Sequence, residues 1–355
     1  MKHDMTLFRE FRCGRSAGSG ACQGGFTLVE LMIALVLGLL VVAGVGSVFI
    51  ANKDAYRTNE ALSQVQDASR TAFEFLARDV REAGSNPCGA ANVASVLNSS
   101  SNDWLDWSEP FRGFDDVGDI DGLPGSGEAG EPVAGEHALR LGKAEDSGLA
   151  LEAVTGPRAN VTLESATTRI SDGDILMVCD ADKATIFQTT NYNSSNTTLV
   201  HNTGGSYSPG NATKCLNHPV PQPVSGGNCT TLSPTSYLVV PTNVVWYIGV
   251  NSSGSRSLFR ARNYLSTAPA PEEMVRGVQG MQIVYHRRGE NVFETATQVD
   301  AVANGWQEVD AARITLTVRS RGLNPNDPNF GTSTDRERLL RDFSTTIAIR
   351  NRLDG

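Results

Sequence analysis

The stretch GGFTLVELMIALVLGLL, residues 24–40, places one acidic side chain, Glu30, at the start of an otherwise apolar run. The 21 residues from Leu31 to Ala51 carry no charge. At about 1.5 Å of rise per residue, a helix of that length crosses a bilayer core. A carboxylate is costly in hydrocarbon, and those that occur there usually serve a function. The run therefore predicts a membrane-spanning helix over residues 29–51 whose acid needs a partner.

The charges that flank the apolar run predict its orientation. Residues 1–25 carry four basic and two acidic side chains, a net charge of +2, whereas the whole chain carries −9. Because basic residues favour the cytoplasmic side, we expect a single pass through the inner membrane with a cytoplasmic N-terminus and a periplasmic C-terminal domain. The acidic remainder argues against nucleic acid as a partner, because its phosphates are bound by clustered Lys and Arg.

Three simpler interpretations explain the run less well. A secretory signal has a shorter apolar region and a small-residue cleavage site, whereas NKDAYRTNEALSQVQ, residues 52–66, continues as a helix. A lipoprotein needs its cysteine after the apolar run, but Cys22 precedes it. A plain single-span anchor fits the hydropathy and leaves Glu30 unexplained.

Glu30 gains a partner if the chain is cut between Gly25 and Phe26. The cut creates an α-ammonium on Phe26, at the positive end of the helix dipole, and a carboxylate one turn further on offsets both charges. Among packed helices, Glu30 of one chain can also reach the ammonium of another. Since an unpaired charge in hydrocarbon is costly, the ion pair favours one helix stagger over its competitors. This is chemistry of assembly and not of catalysis.

The heptapeptide GFTLVEL, Gly25 to Leu31, resembles the processing and methylation motif of type IV pilins and pseudopilins. The resemblance implies a prepilin peptidase that cuts after Gly25 and N-methylates Phe26. Five segments between Tyr237 and Arg352 resemble the C-terminal region of the PilW family of minor pilins: YLVVPTNVVWYIGV, SLFRARN, MVRGVQGMQIVYHRRG, WQEVDAARITLTVRSRG and LLRDFSTTIAIRNR.

This second resemblance implies a low-abundance subunit that primes assembly of type IV pili and lies near the fibre tip. Its partners would be other minor pilins, the major pilin and the inner-membrane assembly machinery, and its final location the fibre at the cell surface. Two alternatives stay open. One is a pseudopilin of a type II secretion system, which shares the leader and Glu30, and the other is a membrane-anchored periplasmic binding protein or adhesin.

The helix is expected to continue beyond the membrane. One apolar stripe recurs at steps of three and four, as in an amphipathic helix: Leu62, Val65, Ser69, Ala72, Leu76 and Val80. Charged residues, Asp79 among them, are expected on the other faces, and Gly84 is expected to end the helix. The organisation predicted is a cleaved leader over 1–25, a helix over 26–84 with an amphipathic part over 52–84, and a β-rich domain over 85–355.

After Ser85 the sequence predicts short strands separated by turn residues. These are ALRLGK, LALEAV, VTLES, DILMVCD, ATIFQTT, SYLVV, VVWYIGV, SLFRAR, MQIVYHR, RITLTVRS and FSTTIAIR. VVWYIGV and SLFRAR are expected to form a hairpin, and segments 98–136 and 189–234 to form surface loops. The predicted fold is α+β and pilin-like, with a long N-terminal helix packed on an enlarged antiparallel sheet.

Four cysteines remain after loss of the leader, and export to an oxidising compartment favours disulfides. Four cysteines allow three pairings. We favour Cys215 with Cys229, which closes a short loop, and Cys88 with Cys179. A zinc site at Cys215, His218 and Cys229 would need a fourth ligand and lacks paired C-x-x-C spacing.

The loop DIDGLPGSGE offers a weak calcium site. Asp119, Asp121 and Glu128 match three positions of a calcium loop, but Val117 stands at the first, so a solvated acidic turn is the better interpretation. No histidine lies in a nucleophile or metal motif, and no phosphate loop or nucleophile elbow occurs. The sequence therefore predicts a structural protein without cofactor or catalytic residues.

Overall fold

The structure is a computed structural model. It describes residues 26–85, 87–88, 92–98, 107, 109–153, 160–180, 183–204, 206–216, 232–233, 235–264, 270–320 and 339–352. The chain divides into two compact units, the first ending at Tyr56 and the second beginning at Arg57. Each unit is described by itself.

The helices are α1 (Leu28–Glu82), α2 (Ala296–Asp300) and α3 (Gly305–Glu308). The strands of the first half are β1 (Asn92–Ser95), β2 (Phe111–Phe114), β3 (Glu131–Pro132), β4 (Ala138–Ala153), β5 (Asn160–Leu163), β6 (Ile175–Asp180), β7 (Lys183–Gln188), β8 (Asn191–Asn193) and β9 (Thr198–Val200). Those of the second half are β10 (Tyr237–Val250), β11 (Arg256–Tyr264), β12 (Ala270–Arg276), β13 (Val278–Arg287), β14 (Phe293–Glu294), β15 (Val309–Arg319) and β16 (Leu340–Ala348).

The first unit contains the N-terminal part of α1. Its large apolar side chains between Phe26 and Ile50 are 55–83% exposed, so no described residue covers them. By length and composition this helix could cross a membrane.

In the second unit, the C-terminal part of α1 buries one face. The buried residues are Ala61, Val65, Ser69, Ala72, Leu76, Ala77, Asp79 and Val80. The predicted stripe is wrong at Leu62, which is 37% exposed, because the buried face passes through Ala61 at that turn. After the helix, Gly84 takes a φ of +70°, which glycine adopts without strain, and its N–H donates to Gly142 O at 2.7 Å.

The strands form two sheets. The larger has the order β1-β7-β6-β10-β4-β5-β9-β8, with β11 and β3 pairing with β10, β12 with β11, and β2 with β4. The smaller has the order β14-β13-β15-β16. The described pairs are antiparallel except β1–β7, which is parallel. The predicted α+β class with a long N-terminal helix is therefore confirmed.

The main core lies between α1, the smaller sheet and strands β4 and β10. Leu76 of α1, Trp246 of β10 and Ile314 of β15 are fully buried there. Burying a side chain such as Leu76 stabilises the fold by about 1.5–3 kcal/mol, so this face of α1 is held mainly by apolar contact. A second core lies among β5, β6, β7 and β9.

Two pairs of predicted strands are each one strand. ALRLGK and LALEAV as far as Ala153 lie in β4, and SYLVV from Tyr237 onward lies with VVWYIGV in β10. Pro241 does not break β10 because it lies where one edge of the strand changes partner. Residues Tyr237–Val239 pair with β6, and pairing with β11 starts at Thr242, so the missing N–H of Pro241 falls between the two ladders.

The predicted hairpin of VVWYIGV and SLFRAR is confirmed by the β10–β11 pairing. The surface loops predicted over 98–136 and 189–234 are wrong in part. Residues 111–114 form β2, whose Phe111 is fully buried, and residues 191–200 include β8 and β9. These strands are too short to show the alternation of apolar and polar residues that predicts a strand. The turn-forming residues around them therefore predict loops.

Candidate functional site

The first turn of α1 holds a local pair of side chains. Thr27 precedes the helix, and its Oγ1 accepts a hydrogen bond from Glu30 N at 3.2 Å while lying 3.5 Å from Glu30 Oε2. Thr27 therefore occupies the N-cap position, with an acid three residues later as in a capping box. Glu30 lies one turn after Phe26, which is itself 83% exposed. A charge at the N-terminus of Phe26 would thus lie close to this carboxylate.

The apolar part of α1 is a continuous helix, and no described residue packs against it. A Cβ at Gly38, Gly44 or Gly46 would meet no atom within 4 Å, and the helix is continuous through all three. The hydroxyl of Ser47 donates a hydrogen bond to Gly44 O at 2.8 Å, so this polar side chain has a partner within the helix. A surface of this kind suits lipid or the apolar face of another helix.

Asp79 fastens the C-terminal part of α1 to the larger sheet. It is 5% exposed, and its Oδ2 accepts from Trp246 Nε1 at 2.9 Å. Lys143 Nζ lies 4.0 Å from Oδ1 and Arg260 Nη1 3.9 Å from Oδ2. One helix residue thus contacts three strands, β4, β10 and β11. The prediction that Asp79 lies on a face away from the buried stripe is wrong, because its carboxylate is buried with hydrogen-bonding and cationic partners.

The last turn of α1 adds a second ionic contact. Lys143 Nζ donates to Glu82 Oε2 at 3.0 Å. Burial raises the pKa of Glu82, but the hydrogen bond and charge of Lys143, with the charge of Arg78, outweigh it, so that pKa lies below its usual value. The chain then leaves the helix along β4, where Ala144 N donates to Ser85 O.

Two families match the chain at its two ends. Residues 20–46 match the prokaryotic N-terminal methylation motif, and residues 245–351 match the family described as Type IV Pilus-assembly protein W. No curated protein and no solved structure matches the chain. Together the two matches cover less than half of the chain, and they make it similar to type IV pilus minor pilins.

The two matches fall on separate structural features. The methylation motif covers the Thr27–Glu30 turn and most of the uncovered apolar helix. The second match covers the end of β10, from residue 245, and all of β11 to β16, and it includes Trp246 and Arg260 of the Asp79 contact. Gly25, the predicted cleavage residue, lies outside the described residues.

A disulfide joins Cys88 to Cys179, which is one of the two pairings that the sequence favours. This bond ties the segment just after α1 to β6. Cys215 is also disulfide-bonded. Cys229 lies outside the described residues, so its pairing with Cys215 stays a prediction.

The acidic loop after β2 satisfies its side chains locally. Glu128 Oε2 accepts from Gly125 N at 3.1 Å, and Asp116 Oδ1 accepts from Gly118 N at 2.9 Å. Among the described residues, which include Asp119 and Asp121, no group of three His, Cys, Asp or Glu side chains is arranged to hold a metal ion. Calcium binding at Asp119, Asp121 and Glu128 stays an untested prediction.

Two histidines have environments that the sequence did not indicate. His201 is 1% exposed, neither ring nitrogen has a hydrogen-bond partner, and burial lowers its pKa to about 4. His286 lies at the surface with Nδ1 2.7 Å from Asp310 Oδ1 and Nε2 2.9 Å from Glu290 O. The bond to Asp310 raises the pKa of His286. Both ring nitrogens of His286 are engaged in these contacts.

An open groove of about 550 Å³ lies beside α1. Its walls are the helix around Gln64 to Thr71 and the strand residues Glu273 to Arg276, with Arg319 at one end. Glu273 is held by Asn251 Nδ2 and Ser257 Oγ, both at 2.8 Å. The groove thus has acidic and basic groups on its walls.

Proposed function

We propose that this protein is a minor pilin that primes or supports assembly of type IV pili and enters the fibre, near its tip, by packing of α1. The observation that supports the proposal most is the apolar helix that no described residue covers, which starts with the Thr27–Glu30 turn inside the methylation motif. A helix with this much exposed apolar surface needs lipid before assembly and other helices after it. The role is structural and involves no catalysis.

Processing fits the geometry of the helix start. A prepilin peptidase would cut after Gly25 and N-methylate Phe26. Since α1 begins at Leu28 with Thr27 as its cap, the cut leaves the capped turn intact. The new ammonium would lie one turn before Glu30, close enough for a charge pair in a medium that penalises unpaired charge.

The proposed topology follows from the same elements. The leader over 1–25 stays in the cytoplasm, residues 29–51 cross the inner membrane, and the β-rich domain over 85–355 lies in the periplasm before assembly. The partners are then other minor pilins, the major pilin and the inner-membrane machinery. PilW-family similarity over 245–351 favours the pilus over a type II secretion pseudopilin.

Two substitutions test processing and assembly separately. Gly25→Val should block the peptidase and leave a precursor longer by the leader, seen by mass spectrometry. Glu30→Ala should be cut normally and remain in the membrane fraction, but its amount in sheared pili should fall at least tenfold. Glu60→Ala is the matched control, because it removes an exposed acid of the same helix outside the apolar part.

Normal incorporation of Glu30→Ala would overturn the assembly part of the proposal. A mature chain that starts at a residue other than Phe26, or that lacks the N-methyl group, would overturn the processing part. If the wild-type chain stays in the membrane fraction and never enters sheared pili, the protein is a resident anchored binder and the proposed function is wrong.

A further inference from the structure

Within the part of the chain that the structure describes, the smaller sheet ends in a long strand with one free edge. β16 runs for nine residues, Leu340–Ala348, and among the described residues it pairs with β15 alone. The register with β15 is continuous from Ala311↔Ala348 to Arg319↔Leu340, without a bulge. A regular, unpaired edge of this length is a template for another strand.

The hydrogen bonds at the two ends of β16 show which backbone groups point outward. Ser320 N donates to Leu339 O, and Ile349 N donates to Asp310 O. Because hydrogen-bonded pairs alternate along an antiparallel ladder, the odd-numbered residues of β16 bond to β15. The even-numbered residues direct their N–H and C=O groups to the free edge: Leu340, Asp342, Ser344, Thr346 and Ala348.

The other described edge strands are protected against strand addition. β1, β2, β3, β8 and β14 have four residues or fewer. β12 has seven, but it contains Pro271, the charged residues Glu272, Glu273 and Arg276, and a register irregularity against β11. Proline, charge, bulges and shortness are the devices that block edge pairing. The five residues from Ser344 to Ala348 have none of them.

We propose that the free edge of β16 accepts an extended strand from another subunit of the pilus, which rests on the proposed function. On the exposed face, Thr315 Oγ1 bonds to Ser344 Oγ at 3.1 Å and Thr317 Oγ1 to Asp342 Oδ1 at 2.7 Å. An incoming strand with Ser, Thr or β-branched residues beside Ser344 and Thr346 would extend these cross-strand side-chain contacts by one more strand.

The charges at the start of β16 define the incoming strand further. Arg341 and Asp342 are both exposed and point to opposite faces of the sheet. The complementary strand has an acid opposite Arg341 and a base opposite Asp342. A second copy of β16 does not fit this pattern, because antiparallel pairing through the free edge places even-numbered residues opposite even-numbered ones and never Arg341 opposite Asp342. The chemistry therefore favours a subunit of different sequence.

Ser344→Pro tests the edge with little effect on the fold. It removes an outward N–H and no backbone hydrogen bond to β15, and proline is tolerated at such positions. Ser344→Ala is the matched control, because it keeps the N–H and loses the same hydroxyl contact with Thr315. The full chain of both variants should be processed and should melt like the wild type in detergent. Ser344→Pro should fall at least tenfold in sheared pili, whereas Ser344→Ala should not.

Hydrogen exchange provides the second readout. The amides of Ser344 and Thr346 should exchange at least tenfold more slowly in sheared pili than in the detergent-solubilised chain. If Ser344→Pro lowers the melting temperature, Thr346→Glu replaces it. Glutamate puts a charge at the edge without changing the backbone, and it lies opposite the cation of Arg313 in β15. The same loss from pili is then expected.

The outcomes separate the two proposals. Normal incorporation of the edge variants together with equal exchange rates overturns the strand addition and leaves the minor-pilin role intact. Absence of the wild-type chain from sheared pili overturns both. Protection of the two amides in the isolated chain that grows with its concentration shows that the occupant is a second copy, and this overturns the choice of a different subunit.

Discussion

Asp79→Ala should detach the end of α1 from the larger sheet. The buried carboxylate accepts from Trp246 Nε1 and lies 4.0 and 3.9 Å from the cationic nitrogens of Lys143 and Arg260. Alanine leaves the fully buried indole N–H without an acceptor and removes the anion between the two cations.

The expected loss of stability follows from these contacts. A buried donor left without a partner costs about 1–3 kcal/mol, and removing one member of a buried ion pair costs about 3–5 kcal/mol when the other is stranded. Here neither cation is stranded, because Lys143 keeps Glu82 at 3.0 Å and Arg260 keeps Glu272 at 2.6 Å. We therefore expect a loss of about 2–4 kcal/mol in the free energy of unfolding.

Two further variants separate the contributions. Asp79→Asn keeps an oxygen for the Trp246 N–H and removes the charge, so it should cost about 1–2 kcal/mol. Glu74→Ala is the control on the same helix: its carboxylate is exposed and lies 3.7 Å from Arg70, so its loss should change stability by no more than about 0.5 kcal/mol.

Urea unfolding of the full chain in detergent, followed by tryptophan fluorescence, measures all three values. If Asp79→Ala and Glu74→Ala lose the same stability, the buried carboxylate does not fasten the helix and the reasoning is refuted. If Asp79→Asn costs as much as Asp79→Ala, the charge matters more than the indole hydrogen bond.

Three other predictions follow. Burial lowers the pKa of His201 to about 4 in the folded chain, against 6.5 for a free imidazole. The contribution of His201 to the free energy of unfolding is therefore fully present above about pH 6.5, and roughly 3 kcal/mol of it is lost as the pH drops towards 4. His201→Leu should abolish this loss, which urea midpoints measured across the pH range would show. Replacing Cys88 and Cys179 together by serine should cost about 2–5 kcal/mol at the same pH, because the bond closes a loop of 91 residues; unchanged unfolding would show that the bond does not form. Millimolar calcium should leave the melting temperature unchanged, since Glu128 is bonded within its own loop, and a clear upward shift would restore the calcium site.

The sequence predicted the parts of the fold that depend on local pattern. Alternation and β-branched residues mark β6, β7, β13 and β15, and the helix period marks most of α1. The sequence predicts two separate strands in place of β4 and two in place of β10, because Gly and Pro usually interrupt strands. Whether Pro241 interrupts β10 depends on which neighbour lies beside it, and that is set by the sheet and not by the residues around the proline.

Glu30 and Asp79 of α1 differ in how readily the sequence alone singles them out. Glu30 breaks a local rule, because a charge within an apolar run demands an explanation, and so the sequence alone singles it out. Asp79 breaks none, because charged residues are common on amphipathic helices. Its partners, Lys143, Trp246 and Arg260, come from three strands that are distant in sequence.

This difference has a functional meaning. The described side-chain contacts of Glu30 are both with Thr27, so its charge is available to a neighbouring chain, whereas the charge of Asp79 is used within its own chain. Under the proposed function, the helix adds the subunit to a fibre, and the subunit then has to transmit force from that helix to its sheet domain. The Asp79 contacts, the Lys143–Glu82 pair and the Cys88–Cys179 bond all lie within the last turns of α1 or just after it. Weakening them should therefore leave helix insertion intact and separate the sheet domain from the helix under load.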